Sequence, residues 1–156
     1  MFKTKDIEEP TVNEVFPVRE LVDDALAIAK SPFRERAEGK RVSNHIPRNL
    51  EIKGNRAGMY IIFFNLLQNS IKEVDAKTID VRYRDAARFH EFRIRDDGPG
   101  FGEGDIRRAA RRHGRGIKIA RKFARESGGD IVYETPSRGQ RGAWALVTIS
   151  KHSTHI

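Results

Sequence analysis

The chain has 156 residues, 38% of them hydrophobic and 33% charged, with 30 Lys and Arg against 22 Asp and Glu and a formal net charge of +8. That length suits one compact domain, and its longest apolar run, Met59 to Phe64, falls far short of a membrane span. The absence of cysteine excludes a disulfide scaffold, a thiol nucleophile and a thiolate-bound metal. Lys3, Lys5 and Asp6 interrupt any leader-like apolar segment, so the expected compartment is the cytoplasm. The basic balance favours a polyanionic partner: nucleic acid, nucleotide phosphates or an acidic protein face.

Residues 1–12 are polar, broken by Pro10, and read as a flexible arm or linker remnant; 13–150 read as the folded domain and 151–156 as a loose tail. Pro17 suits the first turn of a helix in which Val18, Leu21, Val22, Ala25 and Ile28 recur at helical spacing, and Ser31-Pro32 stop or bend it. Arg41 to Ile46 and Asn49 to Lys53 read as two short strands around a turn at Pro47. Arg56 to Val74 predicts a helix with Met59, Ile62, Phe63, Leu66, Leu67, Ser70 and Val74 on one face and Asn65, Gln68, Asn69 and Lys72 on another. Strands follow at Ala76 to Arg84 and Phe89 to Arg95, joined by a polar turn at Asp85 to Arg88. A glycine-rich stretch spans Asp96 to Gly104. The basic segment Ile106 to Arg115 leads into a helix from Gly116 to Glu126, closed by Gly128-Gly129. Asp130 to Thr135 and Ala143 to Ser150 are the last two strands, linked by the turn-rich Pro136 to Gly142. Helices and strands mix without regular βαβ alternation. The fold class is therefore α/β, a two-layer sandwich with a mixed β-sheet of about five strands packed on about three helices.

Three segments carry chemistry. In Phe64-Asn65-Leu66-Leu67-Gln68-Asn69-Ser70-Ile71-Lys72, helical geometry sets Asn65, Asn69 and Lys72 on one stripe. An amide oxygen is a hard ligand suited to Mg2+ and a lysine ammonium suits phosphate, although the same stripe describes the wet side of an amphipathic helix. Asp96-Asp97-Gly98-Pro99-Gly100 follows a strand directly. Its glycines allow close approach and its carboxylate can accept from a base amine, yet Asp, Gly and Pro are also ordinary turn residues. A calcium loop is excluded by the missing acids and closing Glu. Gly114-Arg115-Gly116-Ile117-Lys118 opens a helix, where free backbone N–H groups and the helix dipole favour an anion. It is not a Walker loop, since no Gly-Lys-Ser/Thr follows, and it lacks the preceding strand of a dinucleotide fingerprint.

Taken in order and register, the three resemble the histidine-kinase ATP-binding domain of the gyrase, Hsp90, histidine kinase and MutL superfamily. Asn65–Lys72 resembles its N-box, Asp96–Gly100 its G1 box, and Gly114–Gly129 its G2 box with the helix that follows. Phe16 to Ile28 and Lys53 to Leu67 resemble the upstream segments of sensor kinases, so the resemblance covers roughly residues 14 to 150. It implies a Bergerat-type ATP-binding fold with ATP and Mg2+ as ligands. Asn69 is then the Mg2+ ligand, Asn65 lines the site and Lys72 contacts a phosphate. Asp96 takes the adenine amino group, and Gly98 and Gly100 shape the adenine pocket. Gly114 and Gly116 offer backbone N–H groups to the phosphates. The implied lining also includes Phe101, Arg112, His113, Arg115 and Ile117, with Asn65, Asn69 and Lys72 the catalytic set.

The departures from the family pattern are specific. ATPase branches place a Glu, the base that activates water, where this chain has Asn65, which accepts no proton at neutral pH. That favours a kinase-like use in which a partner side chain is the nucleophile. The interval Gly100 to Gly114 is short, so an abbreviated lid is expected, and the family's Thr in the last strand pair is replaced near Ala143. None of His45, His90, His113, His152 and His155 sits in the family's acceptor pattern. The implied partners are therefore a histidine-containing dimerisation domain, in a longer chain or in trans, and a response regulator downstream. Arg107, Arg108, Arg111, Arg112 and Arg115 describe either a triphosphate clamp or a solvated face. Trp144 and Phe101 are expected in the core or the pocket wall. Three rival functions share the sequence: an anti-sigma-factor-like serine kinase, a nucleotide-binding regulatory scaffold, and a basic nucleic-acid module. The absence of aromatics among the clustered arginines counts against the last.

Overall fold

A computed structural model describes residues 13–73, 75–98, 115–134 and 142–151. The first element is a short strand that the sequence pattern does not announce, β1 (Glu14–Pro17), antiparallel to β3 (Glu51–Gly54) with Glu14 opposite Gly54. Pro17 ends this strand instead of opening the helix turn, and α1 (Val18–Lys30) begins at the next residue. Val18, Leu21, Val22, Ala25 and Ala29 form the buried stripe of α1. Ile28, expected on that stripe, is 55% exposed, because the 3.6-residue period brings Ala29 rather than Ile28 back to the core. Pro32 lies in a 3-10 turn, Ser31–Phe33, that bends the chain into the short α2 (Arg34–Glu38).

The two short strands around Pro47 do not pair with each other. β2 (Arg41–Asn44) joins the main sheet parallel to β4 (Thr78–Asp85), whereas β3 goes to β1. Between them Ile46 is fully buried, and Asn44 ties the turn down: its Nδ2 donates to the Arg19 carbonyl and to Asp23 Oδ1, and its Oδ1 accepts from the Ile46 N–H. Burying Ile46 turns the chain away from hairpin geometry, so each strand takes a distant partner.

The main sheet is completed by β5 (Phe89–Asp96), β6 (Asp130–Glu134) and β7 (Trp144–Ser150), in the order β2-β4-β5-β7-β6. Only the β2–β4 pairing is parallel, which makes the sheet mixed. Its inner face follows the period of two: Ile79 and Val81 on β4, Phe92 and Ile94 on β5, Ile131 on β6, and Ala145, Val147 and Ile149 on β7 are all buried. The outer face carries charge ladders such as Arg93 with Glu134 at 2.9 Å and Arg95 with Asp80 at 3.2 Å. Trp144 belongs to this outer face. Directly opposite Arg95 in register, it lies under that guanidinium at 4.8 Å and not in the core, because Ala145 takes the inward position.

Helix α3 (Arg56–Lys72) lies over the inner face between α1 and α4 (Arg115–Glu126). Asn55 caps it, accepting from the Gly58 N–H at 3.0 Å. Ile71 is fully buried as well as the expected Met59, Ile62, Phe63, Leu66 and Leu67, since helices flank α3 and the sheet lies beneath it. A Cβ on Gly58 would stand 2.9 Å from a ring carbon of Phe123, so this glycine lets α4 approach α3 closely. Helix α4 ends as expected. Gly128 at φ 78° donates to the Arg125 carbonyl and Gly129 to that of Ala124, the pattern of a Schellman cap.

Phe63 and Phe92 meet edge-to-face at 5.4 Å, joining helix to sheet at the centre of the core. Replacing Phe63 by Ala is expected to cost about 3–5 kcal/mol, read as a lower urea midpoint in chemical denaturation.

Candidate functional site

The inner-face alternation of β5 does not stop at Ile94. The next inward position is Asp96, only 5% exposed. Three donors hold its carboxylate: Ser70 Oγ donates to Oδ2 at 2.8 Å, and the N–H groups of Gly98 and Ala143 donate to Oδ1 at 2.9 and 3.2 Å. The Asp96 N–H in turn donates to the Ala143 carbonyl at 3.0 Å. Burial pushes the Asp96 carboxyl up from its ordinary value, while the three hydrogen bonds pull it back. A carboxylate accepts about four hydrogen bonds, and with three made by the described residues, Oδ2 keeps room for a ligand donor among them.

Ser70 follows Asn69 on α3, and the rest of the amide stripe runs along the same helix. The Asn69 Nδ2 atom is buried and has no hydrogen-bond partner among the described residues. A buried nitrogen without a partner is costly, and rotating the amide exchanges that nitrogen for an oxygen that can face a cation. Among the described residues no group of three or more His, Asp or Glu gathers as a metal cluster. An Asn69 amide oxygen turned outward would offer Mg2+ a hard ligand. Tyr133 on β6 stands beside Asn69 and Asp96. Burial and the Asp96 charge both push its hydroxyl pKa up, and the Asn69 side chain opposes them.

One turn earlier, Asn65 donates from Nδ2 to the Ile61 carbonyl at 2.9 Å. Its Oδ1 lies so near Gly116 that a Cβ there would sit at 2.4 Å. The first turn of α4 therefore abuts the stripe, and Ile117 anchors that turn in the core. Lys72 ends the stripe with its ammonium 5.4 Å above the Phe33 ring, which Arg36 also covers at 5.8 Å. Gly98 packs on the chain after α3: a Cβ on it would lie 2.8 Å from Glu73 Cγ and 3.4 Å from Ala76 Cβ.

The structure brings Asn65 and Gly116 together at one end, Asp96, Gly98 and Ser70 at the other, and Asn69 between them on α3. Gly100, Phe101, Arg112, His113, Gly114 and the Arg115 side chain lie outside the described residues. Ser70, Ala143 and Tyr133 were not among the site residues expected from sequence. The signal for Ser70 was available: a serine on an otherwise apolar helix face needs a buried partner.

A family model described as "Histidine kinase-, DNA gyrase B-, and HSP90-like ATPase" matches residues 54–153. The chain is 28% identical over 146 residues to the C4-dicarboxylate transport sensor protein DctB of Rhizobium meliloti, covering 86% of this chain and 23% of that protein. The chain thus spans about a quarter of that relative's length. The ATP binding domain of PrrB from Mycobacterium tuberculosis superposes with a TM-score of 0.71 at 21% identity, over 90% of this chain and 98% of that one. The catalytic domain of histidine kinase ThkA gives a TM-score of 0.71 at 19% identity, over 89% and 97%. At these identities the structural likeness speaks for the fold.

Substituting Ser70 by Ala leaves Asp96 Oδ2 without its one side-chain donor. The Asp96 pKa is expected to rise further, read by carboxyl NMR titration, with a stability loss of about 1–3 kcal/mol at neutral pH.

Proposed function

The chain belongs to the histidine kinase-, DNA gyrase B- and HSP90-like ATPase family, and on that footing we propose that it is the Mg-ATP-binding catalytic domain of a sensor histidine kinase. The observation that carries this reading is the buried Asp96 carboxylate, saturated on Oδ1 and open at one site on Oδ2. A buried acceptor of that kind matches the exocyclic amine of adenine and rejects a 6-oxo purine, which offers an acceptor in the same place. Its hydrogen-bonded frame holds the carboxylate in place before a ligand arrives, as a preorganised receptor requires.

The remaining residues divide the triphosphate among them. The start of α4 directs backbone N–H groups and the positive end of its dipole at an anion, with Gly116 pressed against Asn65. Asn65 lines that end of the site, and Lys72 would leave the Phe33 ring to meet a phosphate. Asn69 would hold Mg2+, which when bound neutralises phosphate charge and fixes the γ-group for in-line displacement. No proton-accepting side chain occupies the stripe, since Asn65 stands where an ATPase carries Glu. Rate enhancement then comes from positioning and charge neutralisation. The P–O bond to the departing ADP breaks, a P–N bond forms to an acceptor imidazole on a separate dimerisation domain or partner chain, and the imidazole proton leaves to solvent. A response regulator would then take the group.

Calorimetric titration tests the reading: this chain should bind Mg-ATP, and no binding by folded protein would overturn it. Asp96→Asn presents an amide N–H to the adenine amine, so affinity is expected to fall about 10- to 100-fold, close to the 1.5–3 kcal/mol of a lost charge-assisted hydrogen bond. The fold should tolerate it, because the carboxylate's raised pKa shows that burial of the charge opposes folding. Affinity of the unaltered chain is expected to drop as pH falls through that raised pKa, since the protonated acid loses its acceptor. Incubation with labelled ATP and a candidate acceptor then identifies the product: an acid-labile adduct supports phosphohistidine, and an acid-stable one points to the serine-kinase alternative.

A further inference from the structure

Helix α3 ends beside the purine pocket, and its last carbonyls need donors. Two cations hold the last of these and the carbonyls of the turn that follows. Arg36 Nη1 donates to the Lys72 carbonyl at 3.1 Å, and Lys40, just before β2, donates from Nζ to the carbonyls of both Glu73 and Ala76. Those two residues form the surface on which Gly98 rests, and Gly98 supplies one of the two N–H groups on Asp96 Oδ1. The chain of contact therefore runs from Lys40, through the carbonyls it pins, to Gly98 and the receptor carboxylate.

We infer that Lys40 is a positioning residue of the purine pocket: its ammonium fixes the turn after α3 beneath Gly98 and keeps a positive charge near the Asp96 carboxylate. The inference rests on the reading of Asp96 as the purine receptor.

Electrostatics supports the placement. Burial pulls the Lys40 pKa down, and Asp96, Glu73 and Asp97 oppose that pull in this order, with Lys77 the like charge nearby. Asp96 in turn is faced by Glu73 from the end of α3, by Ser70 on α3 itself, by Tyr133 from β6 and by the Gly98 and Ala143 backbone. Glu73 is a like charge to the receptor, so a cation seated on the Glu73 carbonyl offsets a repulsion built into the pocket. A lysine serving only as a helix cap would affect stability and leave the pH dependence of ligand binding alone.

The test compares Mg-ATP binding of this chain with Lys40→Gln and Lys40→Arg between acid and alkaline pH, with circular dichroism as the check on folding. Gln keeps a donor for the carbonyls but not the charge. It is expected to weaken binding about three- to tenfold at neutral pH and to move the acid limb upward by about half a pH unit, since loss of a neighbouring cation raises a carboxyl pKa. Arg should restore both. A folded Gln variant with unchanged affinity and acid limb would overturn the inference while leaving the function reading intact. Failure of the unaltered chain to bind Mg-ATP would overturn the function reading and this inference with it. Should the Gln variant not fold, the alkaline side decides. The unaltered chain should lose affinity as Lys40 gives up its proton and the Arg variant should not, so coincident alkaline limbs would overturn the proposal.

Discussion

Strand β5 alternates Phe92, Ile94 and Asp96 toward the helical layer, and the third of these is a carboxylate at a position the pleat forces inward. An ionised group taken out of water must be surrounded by donors. Each donor here comes from a different piece of chain: Ser70 from α3, Gly98 from the turn after β5, and Ala143 from the approach to β7. They converge only when the sheet has closed in the order β4-β5-β7 and α3 has been laid across it. The carboxylate's setting is therefore a product of the whole fold, and any change that shifts α3 against β5 also shifts the group proposed to meet the purine.

Helix α3 serves core and site together. Its apolar residues meet the sheet, α1 and α4, leaving a narrow polar stripe of Asn65, Asn69 and Lys72. Two glycines bring α4 close to it, at Gly58 against Phe123 and at Gly116 against Asn65. The first contact sets the distance between the helices. The second puts the first turn of α4 beside the stripe. Close helix packing and the placing of the helix start proposed for the phosphates are thus one geometric event.

The site is built to hold charge in place and has few groups to move protons. Among the described residues its one strongly buried acid is an acceptor, the buried Asn69 Nδ2 has no hydrogen-bond partner, and Arg36 and Lys40 sit around the end of helix α3. The phosphoryl transfer proposed for it would ask mainly for alignment and neutralisation. The outer face of the sheet, with its alternating Arg, Asp and Glu, is solvated and independent of that work.

Much of this was legible in the residues. Helical period marked the α3 stripe, and the turn after β5 and the helix start at Gly116 were marked by their glycines. Gly128-Gly129 marked the end of α4. These features depend on residue chemistry and on spacing within one element, and local geometry carries both. The partners of β2 and β3, the outward turn of Trp144, the exposure of Ile28, the meeting of Tyr133 with Asn69 and the reach of Lys40 to the end of α3 were not legible. Each depends on which distant segment approaches, and that is settled by the burial of Ile46, the register of β5 against β7 and the seating of α3 on the sheet. The sequence determined which groups are available to bind a nucleotide; the tertiary structure decided which of them share a site, because only packing brings residues far apart in the chain within hydrogen-bonding distance.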